Sequence, residues 1–525
     1  MSRSEGRIGR SAAWLTAAQL APVAVNIALT PFVIGRLGET RYGLWLVASG
    51  VAMFFGQVDG GVYRTALRYF SGFAARRDVE GARNLVVSLV LPVLALQLLT
   101  LAPLLVVDRR VAAFFSTPPD LLDETTHLLR VVTLVVAVAL LRGILVALLH
   151  SHMRFALTAG ATLLSYVGYA VTMFLTLRAG AGLDGVALAY VVQTAVATLV
   201  IVPSALRLVP LRGARLVGAD EARDFARTAW RVQASGLLTV FSTQGLLLLV
   251  GRVRPTEVAA FGPGATFAQN LRTLPANALG PVQARLGAVV ASEPAPVAAS
   301  VTHGIQAMWV RVVVGLAAVA VPAAYLGINA WLPIEGSLPG EVAALLVVAH
   351  LVALLPQVQL QWAVASGHAG VEARATAVSV SLMILLSAAV VPVVGSVGVG
   401  LAALVANAVG LWRVHSLIHR AGGRLRSPLR DVPVLAAVTA LVVTAAVEAG
   451  LRLVASGVPL LESGPLALLL AGAGTLPGLL LYLWMTGLLR RGLEAWRARR
   501  AHADDIEPAA AALAGTTDRH PPATQ

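Results

Sequence analysis

The apolar residues of this chain fall in blocks of about 20, the length an α-helix needs to cross roughly 30 Å of hydrocarbon. Leu85 to Val107 is one such block, and Val432 to Val447 lies in another. The blocks are continuous rather than alternating, so they read as membrane-spanning helices. Composition agrees: 57% of the 525 residues are hydrophobic, 13% are charged, and the mean hydropathy is +0.79. A water-soluble domain carries about 25% charge. The solvent for this chain is lipid.

Reading apolar runs between polar loops places fourteen spans near 12–34, 42–63, 85–107, 126–148, 156–177, 185–206, 230–250, 258–283, 304–328, 343–366, 376–394, 396–417, 432–454 and 465–487. The span at 258–283 is polar for its kind, and the connection between 376–394 and 396–417 is very short. Met1 to Arg10 is basic, and the apolar stretch from Ala12 to Ile34 is too long for a signal-peptide core, so it reads as an uncleaved first span.

All 40 basic residues are arginine, and the net charge is +14. Their distribution points to helix orientation, with no nucleic-acid partner expected. Counting alternate connections from the N-terminus, with Arg231, Arg413 and Arg452 near span ends assigned to the adjoining connections, 28 arginines fall on the first side and 8 on the other, leaving Arg130, Arg142, Arg272 and Arg311 within spans. Positive charge stays cytoplasmic, so both termini are expected in the cytoplasm. Trp14, Trp45, Trp230, Trp331 and Trp484 lie near span ends, where interfacial anchors are enriched.

The largest inner connection, Arg207 to Thr228, is strongly basic and lies at the midpoint. The expected organisation is an N-terminal lobe over 1–208, a basic linker over 209–229, a C-terminal lobe over 230–420, two further helices over 421–490 and a polar, disordered cytoplasmic tail over 491–525. The starts of the two lobes echo each other. Gly35-Arg36 ends a span, Glu39 follows in a tight loop, and Tyr42-Gly43 opens the next span. Gly251-Arg252, Glu257 and Phe261-Gly262 repeat the pattern. In that register Asp59 falls opposite the neighbourhood of Asn277. Internal repeats are a feature of transporters, whose substrate sites lie between them.

The segment Pro31 to Ser71 reads PFVIGRLGETRYGLW and then FFGQVDGGVYRTALRYFS. The "LG…YGLW" turn, the "DGG" and the "ALRY" that follow resemble the polysaccharide-biosynthesis, or Wzx-type oligosaccharide flippase, family of the multidrug/oligosaccharidyl-lipid/polysaccharide (MOP) exporter superfamily. The motif covers some 40 residues, and the span count and two-lobe layout extend the likeness over the chain. The resemblance implies an all-α integral membrane protein of about 14 transmembrane helices, with two six-helix lobes around a central cavity plus two C-terminal helices. It further implies a bacterial inner-membrane transporter acting as a functional monomer. Its cargo would be an oligosaccharide on polyprenyl pyrophosphate, turned from the inner to the outer leaflet by alternating access. Polysaccharide-assembly enzymes are candidate partners.

Such cargo needs a polar path and a counter-charge for the pyrophosphate, which arginine supplies as a paired donor that keeps its charge when desolvated. Arg272 is the first candidate, in the middle of the eighth span beside Gln269, Asn270, Thr273 and Asn277, several of them on its own helix face. Arg142 lies deep in the fourth span. Arg130 and Arg311 are close enough to a surface to snorkel. Asp59 is read as an arginine's partner, with a coupling-ion site as the alternative. Arg64 and Arg68 share a face at the cytoplasmic mouth. Pro22 and Pro31 in the first span, and Pro263 and Pro275 in the eighth, are candidate hinges. No cysteine is present and no HExxH motif occurs, so neither metal nor cofactor is expected. The coupling ion stays open.

Two other functions compete. A drug or cation exporter on the same scaffold would place acidic residues in its cavity, whereas the charges within these spans are mostly arginine. A membrane-embedded glycosyltransferase or polymerase needs a sizeable outer loop; the longest, Asp108 to Glu124, carries Asp120, Asp123 and Glu124 in about 17 residues.

Overall fold

The computed structural model describes residues 3–57, 61–276, 279–368, 370–423, 425–455, 464–490 and 494. They are helical almost throughout, with no strand among them. Ten helices among the described residues are long and apolar enough to cross a membrane. This is a multi-pass membrane protein.

The chain opens on α1 (Arg3–Gly56), which holds the first two expected spans. The break between them is at Gly38, where φ is 76° and ψ is 162°, a conformation open to a residue without Cβ. Pro22 and Pro31 lie inside helical turns. A short amphipathic helix follows, α2 (Val62–Arg76), which buries Thr65, Ala66, Phe70 and Phe73 and exposes Arg64 and Arg68. Next come α3 (Val79–Thr100) and α4 (Ala102–Phe114), nearly continuous through Leu101. The first half ends with α5 (Leu122–Ser151), α6 (Phe155–Arg178) and α7 (Gly182–Leu208). Helices α5, α6 and α7 pack on α1, with α2, α3 and α4 against α5.

The stretch read as the basic linker is irregular only in part, because α8 (Ala219–Val240) starts within it. A π-helical turn at Phe241–Gly245 joins α8 to α9 (Leu246–Val253), and α10 (Val258–Ala276) holds both Pro263 and Pro275. The described remainder of the polar span expected at 258–283 is helical too and begins α11 (Leu279–Ser292). Then follow α12 (Ala295–Trp331), α13 (Leu338–Leu354), α14 (Gln357–Ala365), α15 (Gly370–Val394) and α16 (Val397–Arg420). The short connection between the last two suffices because Gly395, at φ 75°, turns the chain while the Glu257 carboxylate accepts the Ser396 N–H at 2.6 Å. Helix α13 packs on α10, α12 and α16, and α15 packs on α16. The final pair, α17 (Val434–Ala455) and α18 (Pro465–Met485), lies on α12, where the Tyr482 hydroxyl donates to the Arg311 carbonyl at 2.6 Å.

The two echoing segments meet. A Cβ on Gly43 would stand 3.6 Å from Val258 Cβ, and one on Gly262 only 2.5 Å from Leu46 Cδ1. Each aromatic-Gly pair therefore supplies the small residue that lets the other half approach. Of the tryptophans read as interfacial anchors, two serve the interior instead. Trp45 donates to the Tyr190 hydroxyl at 3.2 Å and Trp331 to the Ile27 carbonyl at 2.9 Å. Trp230 and Trp484 are exposed, as an anchor should be.

Candidate functional site: a cavity with one guanidinium and no carboxylate

Inside the first half, Tyr42, Trp45, Tyr169 and Tyr190 form a chain of edge and tilted ring contacts at 5.3–6.5 Å between α1, α6 and α7. Between α9, α10, α13, α14, α15 and α16 lies a cavity of about 410 Å³, with Leu46 of α1 also in its lining. It falls in the size range of small-molecule sites.

Helix α10 supplies one polar wall. Thr266, Gln269 and Arg272 recur every third residue and all line the cavity, with Asn270 beside them. Arg272 makes no hydrogen bond or ion pair with any described residue, and the Gln269 Oε1 is buried with no hydrogen-bond partner among them. Two groups that could bind a ligand are thus left unsatisfied on one wall, which is costly in a buried setting. Across the cavity stand His350 of α13, within electrostatic range of Arg272, and Gln357, the first residue of α14 after Pro356. Thr376 and Ser379 of α15, Asn407 of α16, and Ser242, Thr243 and Gln244 of the π-helical turn complete the polar lining. Asn407 is also spent on structure, its Nδ2 donating to the Ala349 carbonyl at 2.9 Å. No aspartate or glutamate is among the lining residues.

Of the residues expected from sequence to bind cargo, Arg272 and Gln269 meet in this cavity. Pro263 and Pro275 both lie within α10, where Gly262 beside Pro263 lines the wall. Asp59 and Asn277 lie outside the described residues. Arg142 is not among the lining residues; its Nη1 donates to the Thr194 carbonyl and the Thr198 hydroxyl of α7, each at 3.1 Å. Arg64 and Arg68 are exposed on α2, away from the lining. Arg130 is paired, its Nε and Nη2 both donating to Asp108 Oδ2 at 2.9 and 2.6 Å. Sequence reasoning did not single out His350, Gln357 or Asn407. Each was visible as a polar residue inside an apolar span, but only packing shows that they face Arg272.

No protein-family model matches the sequence, and a comparison with curated proteins finds no match. Solved structures do. The lipid II flippase MurJ in an inward closed conformation aligns at a TM-score of 0.61 with 13% identity, over 91% of this chain and 99% of that one. An inward-facing multidrug resistance MATE family transporter of the MOP superfamily aligns at 0.54 with 15% identity, over 77% and 95%. A mutant of the Vibrio cholerae MATE transporter VcmN aligns at 0.52 with 14% identity, over 79% and 97%. The fold is the one that transporters of the MOP superfamily share.

Proposed function

We propose that this chain is a transporter, not an enzyme, that carries a polyprenyl-pyrophosphate-linked oligosaccharide from the inner to the outer leaflet of the bacterial plasma membrane by alternating access. The reading rests above all on the charge of the cavity. Among the described residues Arg272 has no bonded partner in its wall, and none of those lining the cavity is a carboxylate. A guanidinium placed so matches a phosphate, because its fork donates two parallel bonds to two oxygens. The amides of Gln269, Asn270 and Gln357 and the hydroxyls of Thr266, Thr376 and Ser379 can pair with sugar hydroxyls as donors or acceptors. The polyprenyl tail can stay in lipid, so the cavity need hold the polar head alone.

The competing functions fit less well. A cation exporter calls for a carboxylate in the lining. A transferase calls for several free acids in the outer loop, whereas Asp108 is paired with Arg130, Asp123 with Arg109 at 3.0 Å, and Glu124 with Arg41 and the Leu183 N–H, which leaves Asp120 by itself among the described residues. In this reading the two halves form lobes that rock about the cavity, both termini face the cytoplasm, and the monomer is the working unit.

The test is flipping of a lipid-linked oligosaccharide in proteoliposomes. Loss of a charge-assisted bond of about 1.5–3 kcal/mol predicts that Arg272→Ala weakens head-group binding by about 10- to 100-fold, with folding retained. Arg272→Lys should recover part of it, since lysine supplies the charge without the fork. Full activity of the alanine variant would sink the assignment, and export of organic cations by the wild type would replace it.

A further inference from the structure

The last two helices hold a polar cluster that the cavity does not use. Thr444, Glu448 and Arg452 recur at every fourth residue of α17, so they share one face. Thr444 is fully buried and Glu448 is 1% exposed. Thr444 Oγ1, Glu448 Oε1 and Arg452 Nη2 are each buried without a hydrogen-bond partner among the described residues. Helix α18 meets them with glycines. A Cβ on Gly474 would come 3.0 Å from Glu448 Oε1, and one on Gly478 would overlap the Thr444 hydroxyl. The two small residues bring the backbone of α18 onto the carboxyl group.

Among the described residues that carboxyl has no bonded counter-charge. Glu448 makes no ion pair with Arg452, one turn along the same helix. The titratable group of α18 is Tyr482, two turns from Gly474 and bonded to the Arg311 carbonyl. On α12, Gly327 packs on Ala471 and Gly315 on Tyr482, so the level of Glu448 falls between them. That run of α12 holds one titratable residue, Tyr325, which is 38% exposed; His303 and Arg311 lie beyond it toward the other end. An ionised carboxylate in this seam would lose its hydration without gaining a bonded partner, whereas a carboxylic acid loses far less.

We propose that Glu448 is a proton-binding site. It carries a proton while α17 and α18 are packed together, and gives it up only when the seam between them opens to water. Arg452 then steadies the carboxylate from one turn away. The ligand is the proton, and the site is separate from the cavity, so the inference stands whatever the cargo.

Two measurements on the full-length protein in bilayers test it. The first needs no variant: an apolar carbodiimide adds to a protonated carboxyl, and mass spectrometry reads where. Modification of Glu448 in the folded wild type is expected, and a Glu448 left unmodified overturns the proposal. The second uses the absence of native cysteine. In Thr444→Cys, reaction with a polar maleimide should rise with pH more steeply than in Thr444→Cys/Glu448→Gln, by about tenfold for one further unit of pH. The thiol's own ionisation is common to both. Equal rates in the two backgrounds would mean that the seam does not open on proton loss, and would overturn the proposal.

Discussion

Arginine carries several distinct tasks in this chain, and neighbours decide which. Arg130 lies against Asp108, a residue 5% exposed, and both its Nε and Nη2 reach the same oxygen. Arg142 is spent on a helix–helix contact with α7. Arg272 alone among the three has no bonded partner among the described residues, and it lines the cavity. The differences are testable. Because Arg130 is half exposed, Asp108→Asn should cost about 1 kcal/mol of stability, seen as a lowered Tm, with transport specificity unchanged. A change in cargo selectivity would show that the pair belongs to the transport path. The sequence placed Arg272 in a span among amides, which was enough to single it out. It could not show that Arg142 is spent on α7, because a free and a paired guanidinium look alike until the facing helix is known.

At the scale of elements, small residues set how closely helices approach. Gly262 of α10 stands against Leu46 of α1, and Gly43 against Val258. Those contacts join the two halves, and Leu46 and Gly262 also line the cavity. Gly262→Ala should overpack this contact and cost about 1–3 kcal/mol. Adding Leu46→Ala should return most of that loss, since the new methyl then has room. A double variant no more stable than Gly262→Ala would show that the halves do not meet through these side chains. The echo between the two segments was legible in the sequence as a pattern of residue types. That the echoing segments touch each other was not, because nothing local in either segment points at the other. In α1 the chain turns at Gly38, in the tight loop expected between the first two spans, with a positive φ that a proline cannot adopt.

At the scale of the molecule, the arginine bias and the helix order predict direction. Reporters fused after Gly422 and after Arg500 should be active in the cytoplasm only; activity outside for either would overturn the orientation. The asymmetry of the two halves belongs to this scale too. The first packs Tyr42, Trp45, Tyr169 and Tyr190 into one chain of ring contacts, and the second holds the cavity around Arg272.

The sequence by itself determined that the chain lives in a bilayer, that it is helical, and roughly where its spans run. Those properties follow from hydropathy summed over about 20 neighbouring residues, a local quantity that no partner can reverse. It also determined that the ionisable residues within spans are the ones to ask about. Tertiary structure alone decided which of them are neutralised, which line a cavity, and that a second polar cluster lies sealed between the last two helices. Within a bilayer, helices associate through close packing and paired polar groups rather than through exclusion of water. Glycines such as Gly262, Gly474 and Gly478 select which faces meet, and the meaning of each buried charge waits on that choice.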